Sequence, residues 1–219
     1  VDVSRVQSMS KRPIKDLDFP QNVPVLVNVG NLKKIKGQDH LLKVFKYLRK
    51  KIPCKLVICG EGPLRQTLED LVTNYGLKHD VYLPGWVDNP YRYVSRSTLY
   101  VHSSHNEGLP NAVLEAMACG APIVSTDSGS ISEILGQSEY GIVTAKLDNN
   151  FEPDKPMNPS ERALFNALYK MLTNDEVRGH YRIKSLKRID AFSEERILAK
   201  YQQVLSTLIT QNRTWIREK

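Results

Sequence analysis

Residues 98–126, TLYVHSSHNEGLPNAVLEAMACGAPIVST, carry the pattern from which the fold is read. TLYVHSS (98–104) is a short run rich in β-branched and aromatic residues, as in a buried strand. PNAVLEAMACG (110–120) has Pro110 near its start and Gly120 just past its end, the punctuation of a helix. PIVST (122–126) is a second strand. Strand, helix and strand form one βαβ unit, which closes by a right-handed crossover into a parallel sheet. Upstream, PVLVNVG (24–30), KLVIC (55–59) and DVYLPG (80–85) read as strands. Between them Leu41, Leu42, Val44, Phe45 and Leu48, then Leu64, Leu68, Leu71 and Val72, fall at helical spacing, and 89–96 reads as a short helix. Downstream come a short helix, SISEIL (130–135), and a sixth strand, GIVT (141–144). From Pro159 the pattern is helical only. The predicted fold is α/β, a Rossmann-like doubly wound parallel sheet of about six strands with helices on both faces, plus C-terminal helices.

A chain of 219 residues allows one large domain or two small ones. The 41% hydrophobic and 25% charged residues are those of an ordinary globular protein, and no apolar run reaches the length of a membrane span. The N-terminus, VDVSRVQSMSKRP, lacks a signal-peptide pattern and begins with Val1 rather than Met. Cys54, Cys59 and Cys119 match no metal or redox spacing; Cys59 and Cys119 read as buried small hydrophobes in a reducing compartment. The net charge of +7 is spread along the chain, with clusters at Lys33, Lys34 and Lys36 and along Arg178 to Arg188. No basic element carries the interleaved aromatics of a nucleic-acid binder; phosphate-bearing small molecules or an anionic membrane suit the charge equally well.

Ligands of doubly wound sheets bind beyond the C-terminal strand ends, so the residues after Gly30, Gly60, Gly85, Ser104 and Thr126 are the candidates. After Ser104, Glu107 and Glu115 bracket the backbone amides of 108–112 at a helix start, a ready diphosphate site. Were the stretch helical throughout, the two carboxylates would stand about 12 Å apart, the span from a sugar across a diphosphate to a ribose. The plainer alternative makes Glu115 a solvated helix residue and Glu107 a carboxylate favoured by the helix dipole. Spacing alone leaves both open. Gly30-Asn31-Leu32-Lys33-Lys34-Ile35-Lys36-Gly37 offers lysines beside amides, for a diphosphate or as a solvated loop. Gly60-Glu61-Gly62-Pro63 is a poor dinucleotide fingerprint.

GNLKKIKG, CGEGPLRQTLE, VYLPGWVDNPY and EGLPNAVLEAMACGAPIVSTDSGSISEIL occur in an order and spacing similar to the family 4 glycosyltransferases, retaining enzymes of the GT-B fold. The resemblance covers about residues 24–145. It implies that Glu107 contacts the donor sugar, Glu115 holds the ribose hydroxyls and Lys36 neutralises the leaving diphosphate. On the same resemblance, Gly30 and Asn31 would lie on the donor-binding loop with Lys36. The amides of Gly108, Leu109, Asn111 and Ala112 would sit near the phosphates; Pro110, among them, has no N–H. Gly85, Trp86 and Val87 would meet the nucleobase, with Trp86 stacked on it or buried. Asn31 stands where the family usually has arginine, so Lys33 or Lys34 would compensate, and Arg65 is a further basic candidate that a helix-surface role would explain equally well. No metal or cofactor is implied, and Asp16-Leu17-Asp18, like the metal-binding motif of another transferase fold, precedes the first strand.

The resemblance also divides the chain into an interdomain-linker remnant (1–20), a donor-binding domain (21–190) and a C-terminal helix and tail (191–219). The expected parent is a cytoplasmic enzyme about twice as long, with an N-terminal acceptor domain and a role in surface-polysaccharide or glycoconjugate synthesis. It would act at the inner face of the cell membrane or on a lipid-linked acceptor, use a UDP-sugar in preference to a GDP-sugar, and bind no nucleic acid. The competing readings are a stand-alone nucleotide-sugar binding module, a sugar-nucleotide epimerase, and a basic domain for RNA or membranes.

Overall fold

A computed structural model of the chain describes residues 1–14 and 22–217. Asp16-Leu17-Asp18 lies outside the described residues. Six strands, β1 (Val25–Val29), β2 (Lys55–Cys59), β3 (Val81–Gly85), β4 (Leu99–His102), β5 (Ile123–Thr126) and β6 (Ile142–Thr144), form one sheet in the order β3-β2-β1-β4-β5-β6. Every pairing is parallel. The helices are α1 (Val3–Ser10), α2 (Gln38–Arg49), α3 (Arg65–Asn74), α4 (Tyr91–Val94), α5 (Asn111–Ala118), α6 (Ile131–Leu135), α7 (Pro159–Thr173), α8 (Asp175–Arg188) and α9 (Glu194–Arg217). Connections leave β1 towards one edge and β4 towards the other, so the crevice of the topological switch point opens beyond the ends of β1 and β4.

The strands read as unbroken apolar runs because both sheet faces are covered. Leu26, Leu56, Ile58 and Val101 pack with Leu41, Phe45, Leu68, Leu164 and Leu168 of α2, α3 and α7. Val27, Val57, Tyr100 and Ile123 pack with Tyr93, Val113, Met117, Ile131 and Ile134 of α4, α5 and α6. The expected strand from 98 to 104 ends at His102, where Ser103 to His105 turn away to clasp the loop after β1. Cys54 and Cys59 are buried, but Cys119 is only partly covered, its Sγ turned towards the Tyr91 carbonyl at 3.8 Å. Burial pushes the Cys54 and Cys119 thiols up to about 12.

The N-terminal segment contains a helix that the polar sequence pattern does not announce. Asp2 caps α1 by accepting from the Arg5 N–H at 2.8 Å, and Val6 is buried. The C-terminal end of α1 is gripped by Asn89, whose Nδ2 donates to Met9 O (2.9 Å), and by Ser95, whose Oγ donates to Ser10 O (3.1 Å). So short a helix persists through docking rather than through its own propensity.

Charged residues are buried on α2. His40 Nδ1 lies 2.8 Å from Glu161 Oε1, and Lys43 Nζ lies 2.9 Å from Glu161 Oε2, with all three side chains shielded from solvent. Glu161 also accepts from the Asn158 N–H at 2.8 Å, closing a capping box at the start of α7. This one carboxylate joins α7 to α2.

Candidate functional site

The loop after β1 and the turn after β4 form one unit at the switch point. Ser103 Oγ donates to Lys36 O (2.8 Å), and the His105 N–H donates to Ile35 O (2.8 Å). Gly37 makes the approach possible: its φ is +61°, and a Cβ placed there would stand 2.2 Å from Ser103 O. Gly37→Ala is expected to cost about 2–5 kcal/mol, from left-handed backbone strain and overpacking together, read from urea unfolding. A loss under 0.5 kcal/mol would show that the clasp yields easily.

The clasp brings Lys36 to Glu107, 71 residues apart. Lys36 Nζ and Glu107 Oε1 are 2.5 Å apart, and Ser104 Oγ donates to the same oxygen at 2.8 Å. Behind them lies buried His102, its Nε2 3.7 Å from that oxygen. Burial lowers the His102 pKa to about 4, so the ring is neutral near pH 7. Burial also pushes the Glu107 carboxyl up, but the hydrogen bonds from Lys36 and Ser104 outweigh it and hold the carboxyl below the usual range. Among the described residues Glu107 Oε2 has no protein partner, so Glu107 presents one anchored oxygen and one free one.

Glu107 is not helical. Its N–H donates to Ser128 O (2.9 Å) and it bridges to Gly129, while α5 begins only at Asn111. The helical rise therefore does not set the separation of the two glutamates. Glu115 accepts at Oε1 from the Tyr91 hydroxyl (3.0 Å), and its half-buried position raises its pKa. Its Oε2, too, has no protein partner among the described residues. The two carboxylates meet electrostatically at buried Tyr100, whose hydroxyl donates to Val29 O (3.3 Å) at the end of β1. Burial, then Glu115 and Glu107, push that phenol's pKa up. Both glutamates thus lie at the same end of the switch point.

Of the amides expected around a diphosphate, that of Asn111 is engaged with Leu109 O (2.9 Å), whereas those of Gly108 and Leu109 have no protein acceptor among the described residues. Pro110 is buried at the helix start, and Ala112 is half-buried in its first turn. Gly30 is held to β2 through its N–H and Cys59 O (3.0 Å); Asn31 and Lys33 are exposed beside it. Lys34 lines a different cleft, with Ile35, His105 and Lys146.

At the β3 end, Trp86 is 71% exposed, which excludes the buried alternative. With Val87, Asn89, Arg92 and the Arg12-Pro13 segment it lines an open depression of about 610 Å³. Gly85, at φ +82°, brings the chain close to Glu61, where a Cβ would meet Oε1 at 2.7 Å. Arg65, partly exposed on the surface of α3, reaches Glu69 (2.5 Å), Glu61 (3.1 Å) and Leu83 O (2.9 Å). Among the described residues no cluster of three or more His, Cys, Asp or Glu could hold a metal ion, and no helix is long and apolar enough to cross a membrane.

The strand order and the switch-point crevice define a Rossmann-like α/β domain of the GT-B type. Its residues 10–150 match the sequence profile of the glycosyl transferases group 1, and the chain belongs to that family. A glycosyltransferase of uncharacterised role from Methanocaldococcus jannaschii is 29% identical over 95% of this chain and 56% of its own length. The N-acetylgalactosamine-N,N'-diacetylbacillosaminyl-diphospho-undecaprenol 4-alpha-N-acetylgalactosaminyltransferase of Campylobacter jejuni is 31% identical over 88% of this chain and 48% of its own. The chain thus spans about half the length of the curated relatives it matches. Among solved structures, the sucrose-phosphate synthase of Thermosynechococcus elongatus superposes with TM-score 0.74 at 23% identity, over 96% of this chain and 50% of its own. A pneumococcal O-GlcNAc transferase in complex with UDP and GlcNAc superposes with TM-score 0.73 at 19% identity, over 84% and 36%.

Proposed function

We propose that this chain is the donor-binding half of a retaining glycosyltransferase that uses a nucleoside-diphosphate sugar, a UDP-sugar in preference to a GDP-sugar. The observation that carries the reading is the carboxylate of Glu107, anchored through Oε1 by Lys36 and Ser104 with Oε2 free, beside the open amides of Gly108 and Leu109. The free oxygen accepts from sugar hydroxyls, and Glu115, held by Tyr91, accepts from the ribose diol with its own free oxygen. The phosphates lie between, on the amides and on Lys36, which exchanges part of its contact with Glu107 for the incoming charge. Exposed Trp86 stacks on the base. During transfer the bond from the anomeric carbon to the diphosphate breaks, a bond to the acceptor oxygen forms, and the acceptor's proton passes to the departing diphosphate. Lys36 and the amides then meet the growing charge in a preorganised setting. The solved pneumococcal transferase carrying UDP, and the substrates named for the relatives, support the class of donor.

The acceptor belongs to a second domain, towards which α9 carries an exposed stripe of Leu198, Tyr201, Val204, Leu205 and Leu208. The isolated chain is expected to bind donor and transfer nothing. Titration calorimetry with UDP and GDP tests the reading directly. Lys36→Ala is expected to weaken UDP by about 1.5–3 kcal/mol, as for loss of a hydrogen bond to a charged group. An unchanged dissociation constant would make Lys36 a partner of Glu107 alone.

A further inference from the structure

The Glu107 anchor has one donor too many. Oε1 already accepts from Lys36 (2.5 Å) and Ser104 (2.8 Å), which fills the two acceptor positions of a carboxylate oxygen. Yet His102 aims Nε2 at the same oxygen from 3.7 Å, and that nitrogen is buried with no hydrogen-bond partner among the described residues. An unused polar atom in so enclosed a place needs a reason. The groups stand at different depths. The Lys36 side chain is 26% exposed, so a ligand reaches it from solvent, whereas that of His102 is 4% exposed and lies behind the carboxylate. Its backbone is fixed, because β4 pairs with β5 at Ser125 and Thr126 Oγ1 donates to the His102 carbonyl at 3.4 Å. The ring is neutral near pH 7 and carries a single N–H, and the facing carboxylate favours that hydrogen on Nε2.

Donor binding, as read above, draws Lys36 from Glu107 towards the diphosphate and leaves one acceptor position on Oε1 empty. His102 is the donor placed to fill it: closing from 3.7 Å to the ~2.9 Å usual for N–H···O takes a shift of about 0.8 Å. We propose that His102 is a positioning residue for Glu107, which takes over Oε1 when the diphosphate claims Lys36 and so keeps Oε2 directed at the donor sugar. Only a hydrogen bond is exchanged, and no proton is transferred. The assignment rests on the donor reading and adds to it an exchange of anchors.

The test follows His102 by NMR of the ring N–H groups, its signal assigned by loss in His102→Gln, alongside calorimetry with UDP. Without ligand, Lys36→Ala is expected to move the Nε2–H signal downfield as the bond to Glu107 closes. UDP added to the wild-type chain should move it in the same direction. His102→Leu should weaken UDP about tenfold, the worth of one hydrogen bond to a charged group. His102→Gln keeps an N–H near the Nε2 position and should stay within about threefold of wild type. In a Glu107→Ala background, His102→Leu should alter UDP affinity by less than about twofold, since no carboxylate remains to be held. Circular dichroism verifies that each variant is folded. A ring protonated on Nδ1 alone, or an unmoved signal in Lys36→Ala, would overturn the reserve anchor. So would equal losses from His102→Leu with and without Glu107, which packing alone explains. UDP bound with no change at His102 would overturn the exchange and leave the donor reading intact. UDP failing to bind while Lys36→Ala still moves the signal would refute the donor reading and leave His102 as a second anchor for Glu107.

Discussion

Glu107→Ala should weaken a UDP-sugar by about 10–100-fold, the loss of one or two charge-assisted hydrogen bonds, and leave UDP itself bound at least as tightly as before. The asymmetry follows from the pairing in the free protein. Glu107 holds Lys36 at 2.5 Å, so removing the carboxylate takes a contact from the sugar and releases a cation for the diphosphate. Glu115→Ala should instead weaken UDP and UDP-sugar alike by about tenfold or more, because the ribose is common to both. Tyr91→Phe, which removes the hydroxyl that holds Glu115 Oε1, should fall in the same direction with a smaller loss. Calorimetry on the ligand pair decides it. Equal losses for both ligands in both glutamate variants would remove the division of labour.

Glu161→Ala should destabilise the chain by about 3–5 kcal/mol, the cost of breaking a buried pair from one side. The substitution leaves Lys43 and His40 facing an apolar gap and frees the Asn158 N–H at the start of α7. Urea unfolding measures it; a loss below 1 kcal/mol would mean that Lys43 finds solvent or the Glu152 carbonyl alone suffices. The effect depends on pH with a definite sign. Burial raises the Glu161 carboxyl, but the hydrogen bonds from His40 and Lys43 prevail and hold it below the usual carboxylate range. Its contribution is therefore complete above the unfolded carboxylate pKa and is lost as pH falls through the lower folded value. The stability gap between wild type and Glu161→Ala should accordingly narrow on acidification below about pH 4.5.

The pattern of strands and helices was legible to within a residue or two for most elements, because it rests on local spacing and on glycine and proline at boundaries. The helix α1 was not, since Val3, Val6 and Met9 leave its apolar side thin and it is held by Asn89 and Ser95 from elsewhere in the chain. At the site, Glu107 and Lys36 were both legible as candidates, but not as partners. Arg65 read equally as a basic candidate or a helix-surface residue, and it reaches three protein acceptors; Asn111 read as an amide donor, and its N–H meets Leu109 O. His105 and Lys146 carried no signal in the sequence, for their proximity depends on three loops meeting. His40 and Lys43 sat within an amphipathic helix as ordinary polar residues, because nothing local to α2 reveals a carboxylate 121 positions from His40.

By itself, then, the amino-acid order determined that this chain is a parallel α/β domain with its candidate residues beyond the strand ends, because periodicity, caps and glycine breaks act over a few residues. Folding alone decided which side chains meet. It placed β4 beside β1 and so opened the crevice; it set Lys36 against Glu107, exposed Trp86, and enclosed His40 and Lys43 around Glu161. Those outcomes depend on contacts between distant segments and on the burial they create, and neither quantity is a property of any short stretch of chain.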